Sequence, residues 1–267
     1  MKYTQEDIAR LKEYEGEDRI VSSLQKIMEI DNLAPVDPIY TGFPVLDEWI
    51  EGTVQGELWV LSGEPKSGKS TLMKTFIRNM SRKAEHPVVF SFEEQTRYFL
   101  ESFENKGKDL LFYMPNQMVP YSVDWVIERA LEAKEKVGSR VIFIDHGHYL
   151  FEMSSKQNSA LDIGDCGRKL KNLARDHDMV VFLLWHIRKH RIETIDDLDM
   201  ELLRDTGMLA GEMDGLIFTH REVKSDGVSQ VEESYLKVDR TRRSGVFKRV
   251  IPMKKIGAYF EELGIEF

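Results

Sequence analysis

Eight residues constrain this chain more than any others: 63-GEPKSGKS-70, set between the apolar run LWVLS and the amphipathic run TLMKTF. The pattern is G-x-x-x-x-G-K-S at the point where a strand turns into a helix. Glycine lets the backbone curl so that successive N–H groups point inward at one centre. The helix that opens there adds its positive end. Such a loop cradles a polyphosphate. Lys69 supplies positive charge to β- and γ-phosphates, and the Ser70 hydroxyl suits a bound Mg²⁺. Gly63, Glu64, Pro65, Lys66, Ser67, Gly68, Lys69, Ser70 and Thr71 are therefore the expected binding residues, for ATP or another nucleoside triphosphate with Mg²⁺.

A cradle of this kind needs a sheet beneath it, and the pattern around it supplies one. Strand-like runs at 57–62, 87–92, 109–113, 140–145, 179–185 and 214–219 alternate with helical patterns at 69–82, 95–106, 121–137 and 160–178. Alternation predicts an α/β fold with a mainly parallel, twisted sheet covered by helices on both faces. After Arg221 the segments 231–239, 246–252 and 258–261 read as antiparallel strands. Ahead of the core, Thr4 to Asp7 predicts a capping box and a second helical pattern runs through Ile20, Leu24, Ile27 and Met28. The prolines of 31-DNLAPVDP-38 then mark a linker. The expected division is a helical appendage over 1–38 and a P-loop domain over 39–267.

Composition excludes some classes. No apolar run approaches the roughly 18–20 residues that span a bilayer, so no membrane role is expected. The one cysteine, Cys166, cannot form an internal disulfide and suits a reducing compartment. The net charge of −9 is concentrated in residues 1–60, which hold thirteen Asp/Glu against five Lys/Arg. By contrast 237-KVDRTRRSGVFKRVIPMKK-255 holds eight Lys/Arg and one Asp. That stretch reads either as a solvated edge hairpin or as a surface for a polyanion.

Three more strand ends carry chemistry. The run 139-SRVIFIDHGHYL-150 ends an apolar strand at Asp145, where a carboxylate reaches the Mg²⁺ shell. The run 87-PVVFSFEEQ-95 ends in two carboxylates, on a strand able to lie beside the phosphate-loop strand. Glu93 is the expected residue to hold the attacking water, and Glu94 fits a helix N-terminal charge. The run 180-VVFLLWHIRKH-190 leaves its strand at His186, read equally well as a γ-phosphate sensor or as a structural histidine. His146 and His148 have no convincing zinc spacing and read as structural, or as outer residues of the triphosphate site.

Taken in order, these stretches resemble the ATPase domain of the hexameric replicative DNA helicases, a family that includes the DnaB type, the phage primase-helicases and the mitochondrial twinkle helicase. The lead-in 41-TGFPVLDEWIEG-52, the glutamate strand ending at Glu93, the Asp145-His146 and His186 strands, and 203-LRDTGMLAGEMDGLIFTHRE-222 with Thr206 in place of serine all carry the likeness, over roughly residues 39–262. The stretch 237-KVDRTRRSGVF-247 resembles the family's arginine-finger strand, with Arg240 at the finger position. One departure is that the DnaB-type lysine two places before the arginine is Val238 here, with Lys237 one place earlier.

The resemblance implies a RecA-like core and an ATP-dependent helicase that moves 5′–3′ on single-stranded DNA during replication. It implies a homo-oligomer, a hexameric ring, in a bacterial cytoplasm or phage-encoded in a host's. It makes Glu93, His186 and Arg240 catalytic, and Ser70 and Asp145 the metal ligands. DNA-contacting loops would follow the Asp145 and His186 strands, with Lys156, Arg188, Lys189 and Arg191 facing phosphates. The sequence shows no primase or zinc-binding segment before residue 39, so a primase or loader is expected on a separate chain. The alternative is a recombinase-like or KaiC-like ATPase on the same core, assembling on DNA or protein without unwinding.

Overall fold

A computed structural model describes residues 4–33, 35, 37–150, 159–187, 192–225 and 230–264. The chain divides into two compact units, Met1–Asp37 and Pro38–Phe267. In the first, α1 (Gln5–Lys12) begins with the reciprocal box expected of Thr4 and Asp7. The next helix, α2 (Ser23–Asp31), starts where the Ser22 hydroxyl accepts from the Gln25 amide. Leu11, Leu24, Ile27 and Met28 all remain exposed.

The second unit is an eight-stranded sheet in the order β2-β3-β4-β1-β5-β6-β7-β8. Its strands are β1 (Leu58–Gly63), β2 (Val88–Ser91), β3 (Val141–Asp145), β4 (Val180–Leu184), β5 (Gly215–Ser225), β6 (Gln230–Thr241), β7 (Phe247–Ile256) and β8 (Tyr259–Glu262). The first five are mutually parallel, and β5 to β8 form an antiparallel meander. The helices are α3 (Pro44–Ile50), α4 (Lys69–Arg82), α5 (Thr96–Glu101), α6 (Val123–Val137), α7 (Ser159–Asp176) and α8 (Gly207–Glu212). Alternation along β1 serves both faces. Leu58 and Val60 pack in one core with α6 and α7, while Trp59 and Leu61 pack in the other with α3 and α4. Among the described residues no helix is long and apolar enough to cross a membrane.

Three expectations change. The run 109–113 is not a strand: only an isolated parallel bridge joins Tyr113 to Val88 at the sheet edge, two residues before Pro115. The helical pattern over 95–106 breaks after Glu101, and Asn105 and Lys106 turn to φ of 51° and 55°. The glutamate strand β2 is not beside β1, because β3 and β4 lie between them.

The structure also adds α3, inside the lead-in TGFPVLDEWIEG. Asp47 there accepts from the Thr41 amide, the Thr41 hydroxyl and the Gly42 amide, each at 2.8 Å. The two residue types of the lead-in thus form one closed turn, with Gly42 at φ 82°. Asn79 of α4 ties that turn down by donating to the Thr41 carbonyl at 3.0 Å. No side chain caps α3 locally. Instead Glu262, on the last strand, accepts from the Val45 and Leu46 amides at 2.9 and 3.0 Å.

Candidate nucleotide site

β1 delivers the phosphate loop at the carboxyl edge of the sheet, where ligands bind in open α/β folds. Gly63 has φ 143°, and a Cβ there would meet the Thr219 carbonyl oxygen at 2.4 Å. The loop therefore rests on β5 as closely as backbone allows. The Ser67 and Thr219 hydroxyls, 2.7 Å apart, fasten the other side. Gly68, at φ 106°, leads into α4. Lys69 is buried, and its Nζ donates to the carbonyls of Gly63 and Glu64 at 3.0 and 2.7 Å. Burial pulls its pKa down to about 8, opposed by the carboxylates of Asp145, Glu93 and Glu64.

Strand register brings the distant residues in. The Ser70 hydroxyl donates to Asp145 Oδ2 at 3.3 Å. Asp145 is 3% exposed, and burial, with Glu93 nearby, lifts its carboxyl to about 7. The chain leaving β2 bonds back to β3: the Phe92 and Glu93 amides donate to the Asp145 carbonyl at 2.6 and 3.3 Å. That return carries Glu93 across despite the two intervening strands, and its Oε2 comes within 4.0 Å of His186 Nε2. Glu94 turns the other way, to Lys74 Nζ at 3.6 Å. The Trp185 amide donates to the Leu61 carbonyl and the Ser62 hydroxyl to the Trp185 carbonyl, both at 2.9 Å, which holds His186 beside the loop strand. Burial, with Lys69 and His148 adding to it, lowers His186 to about 4, so its imidazole is neutral at pH 7.

The Ser70 hydroxyl and the Asp145 carboxylate are hard oxygen donors side by side, the chemistry Mg²⁺ takes. The loop amides and Lys69 fit a triphosphate. A cavity of 690 Å³ adjoins the loop on the meander side, lined in part by Lys66, Gly68, Thr71, Arg221, Tyr235 and Phe260. It was not foreseen, because the walls opposite the loop come from β5, β6, β7 and β8, far from the loop in sequence.

Arg240 does not join this group. It pairs with Leu216, level with Val60 rather than with Gly63, and its Nε lies 3.2 Å from Asp239 Oδ2. The extra residue that separates Lys237 from Arg240 is absorbed in a β-bulge: Ile217 faces Val238 and Leu216 faces Arg240, leaving Asp239 without a partner on β5. Lys237 is buried and donates to the carbonyls of Ile195, Asp196 and Leu198 at 3.3, 3.1 and 2.5 Å. Lys156, Arg188, Lys189 and Arg191 lie outside the described residues, as does the side chain of Thr206.

The chain is similar to several known proteins. A family model described as KaiC ATPase matches residues 39–141. The replicative DNA helicase DnaB of Helicobacter pylori strain J99 is 23% identical, over 78% of this chain and 52% of its own length. The chain thus spans about half the length of the curated relatives it matches first. Among solved structures, an ATPase domain solved on its own superposes with a TM-score of 0.76 at 18% identity, covering 90% of this chain and 97% of that one. A DnaB-like replicative helicase, solved in a study of its interactions with primase, gives 0.71 at 18% identity, covering 97% and 71%. The chain is thus similar in sequence to DnaB-type helicases and similar in fold to the ATPase domains of such proteins.

Proposed function

We propose that this chain is the ATP-hydrolysing domain of a ring-forming DNA helicase that moves 5′–3′ along single-stranded DNA, working in a cytoplasm with a primase or loader on another chain. The observation that carries this is the meeting of Lys69, Ser70, Asp145, Glu93 and His186 at one sheet edge while Arg240 stays away from it. In sites of this kind a neighbouring subunit can supply the arginine that stabilises charge on the transferring phosphoryl group.

In this reading the loop amides and Lys69 hold the β- and γ-phosphates. Ser70 and Asp145 would hold Mg²⁺, which neutralises charge on the leaving phosphates. Glu93, the most solvent-reachable of the group, orients the attacking water and accepts its proton. His186, neutral, contacts the γ-phosphate by a hydrogen bond rather than by charge, so it senses position more than ionisation. Arg240 completes the site of the adjacent subunit. Arginine supplied in this way is worth on the order of 10³–10⁵ in turnover where it has been measured. The cavity beside the loop receives the base and sugar.

The test is ATP turnover with and without single-stranded DNA, plus strand displacement on a forked duplex. R240A is expected to cut turnover by at least about 10³-fold with nucleotide affinity nearly unchanged. Unchanged turnover would remove the finger assignment. A protein that stays monomeric at high concentration with ATP analogue and DNA would end the motor reading. The KaiC-type alternative draws on a sequence match that stops at Val141 and on a solved KaiC-like protein that superposes over 86% of this chain with a TM-score of 0.62. ATPase activity without strand displacement would favour it.

A further inference from the structure

Glu93, His146 and His186 arrive from three different strand ends, yet one ligand atom of each lies within 4.8 Å of the other two. Ser70 and Asp145 offer only oxygen to a cation, which suits Mg²⁺. The trio next to them offers two imidazoles and one carboxylate, a set that suits borderline divalent ions of the first transition row. We propose that Glu93, His146 and His186 form a second, separate cation site that takes Zn²⁺ or a similar transition ion.

The surroundings favour ligation. Metal–ligand distances of about 2.0–2.2 Å put tetrahedral ligand atoms roughly 3.3–3.6 Å apart, so the trio must contract by about 1 Å. Glu93 can supply most of that movement, since its side chain is 46% exposed. His146 is held from behind. His146 packs edge-on against His186, ring centres 4.2 Å apart, and its Nδ1 lies 3.1 Å from His148 Nδ1. His148 in turn stacks on Trp185 at 4.2 Å. Ligating histidines are commonly fixed by such outer partners. The buried Nδ1 of His186 has no hydrogen-bond partner among the described residues, so the ring is not locked into a competing network. Three protein ligands leave a fourth position for water.

Occupancy would draw Glu93 and His186 together onto the ion. Resting on the function proposed above, the same ion would then idle hydrolysis by taking the water-orienting carboxylate and the sensor at once. Release by a chelator would restore it.

Co²⁺ reports the site directly, without nucleotide or DNA. The whole protein, treated with chelator and then titrated with Co²⁺, is expected to bind one ion per chain with visible ligand-field bands that stoichiometric Zn²⁺ abolishes and millimolar Mg²⁺ does not. H186A, H146A and E93Q should each weaken binding about tenfold or more, while H177A leaves it unchanged. If H146A does not fold, H186A and E93Q decide the matter from the more exposed side. Absence of the bands, or bands that survive both E93Q and H186A, overturns the proposal. An inert motor with intact Co²⁺ binding would count against the helicase reading alone, and a working helicase without Co²⁺ binding against the metal site alone.

Discussion

At the scale of single residues, the site is built by burial working against charge. Asp145 and Lys69 are both pushed toward neutrality by burial; the surrounding carboxylates partly rescue Lys69, but Glu93 and Glu94 push Asp145 further the same way against Ser70 and Lys74. A binding surface of that kind costs the free protein stability that its ligand returns. D145N should therefore raise the melting temperature of the nucleotide-free protein by a few degrees while abolishing hydrolysis, as calorimetry and phosphate release would show together. Cys166 illustrates the same force away from the site. Burial, reinforced by Asp165, holds its thiol up at about 12. At pH 8 the thiolate is then scarce and inaccessible. Iodoacetamide should leave the native protein unlabelled and add one group per chain in urea; labelling of the folded protein would contradict the packing of α7. The residues of the phosphate loop were legible because eight consecutive positions carry the whole signal. Glu93 and His186 were expected at the site and His146 at its edge, but their closeness as one set of ligand atoms was not legible, because spacing along a chain says nothing about strand ends that meet only through sheet order.

At the scale of elements, periodicity read the long helices and buried strands well: α4 runs from Lys69 to Arg82 as expected. It failed where a run was short or its partner distant. Tyr113 meets β2 at one residue only, and α3 hides in a lead-in whose first turn is closed by Asp47 and whose amides are capped by Glu262 from the other end of the domain. E262A leaves two amides of α3 without that acceptor, at a cost of about 1–2 kcal/mol, which is roughly 3–6 °C in melting temperature for a domain of this size. E262Q keeps an acceptor oxygen and should lose less. Burial raises the Glu262 pKa above its ordinary 4.5, even though the Val45 and Leu46 amides favour the charged form. A raised native pKa means that this group's contribution is complete at acid pH and fades as pH climbs through the shifted value. E262Q, neutral throughout, should be missing that decline; parallel pH profiles for the two proteins would refute it.

At the scale of the whole molecule, Arg240 and the helical unit Met1–Asp37 raise the same question of neighbours. The exposed Leu11, Leu24, Ile27 and Met28 form apolar stripes on helices of eight and nine residues, too short to be stable alone in water. Deleting residues 1–32 is expected to weaken self-assembly more than nucleotide binding, as sedimentation and fluorescent-nucleotide titration would resolve; an unaltered oligomer would assign those stripes elsewhere.

The capping of α3 by Glu262 has a topological meaning as well. It draws the opening and closing segments of the ATPase unit together like the two halves of a clasp. Chains whose ends lie side by side tolerate being re-cut. Joining residue 264 to residue 38 through a short glycine linker, with new termini opened at exposed Gly138, should give a circular permutant that still folds and still takes nucleotide.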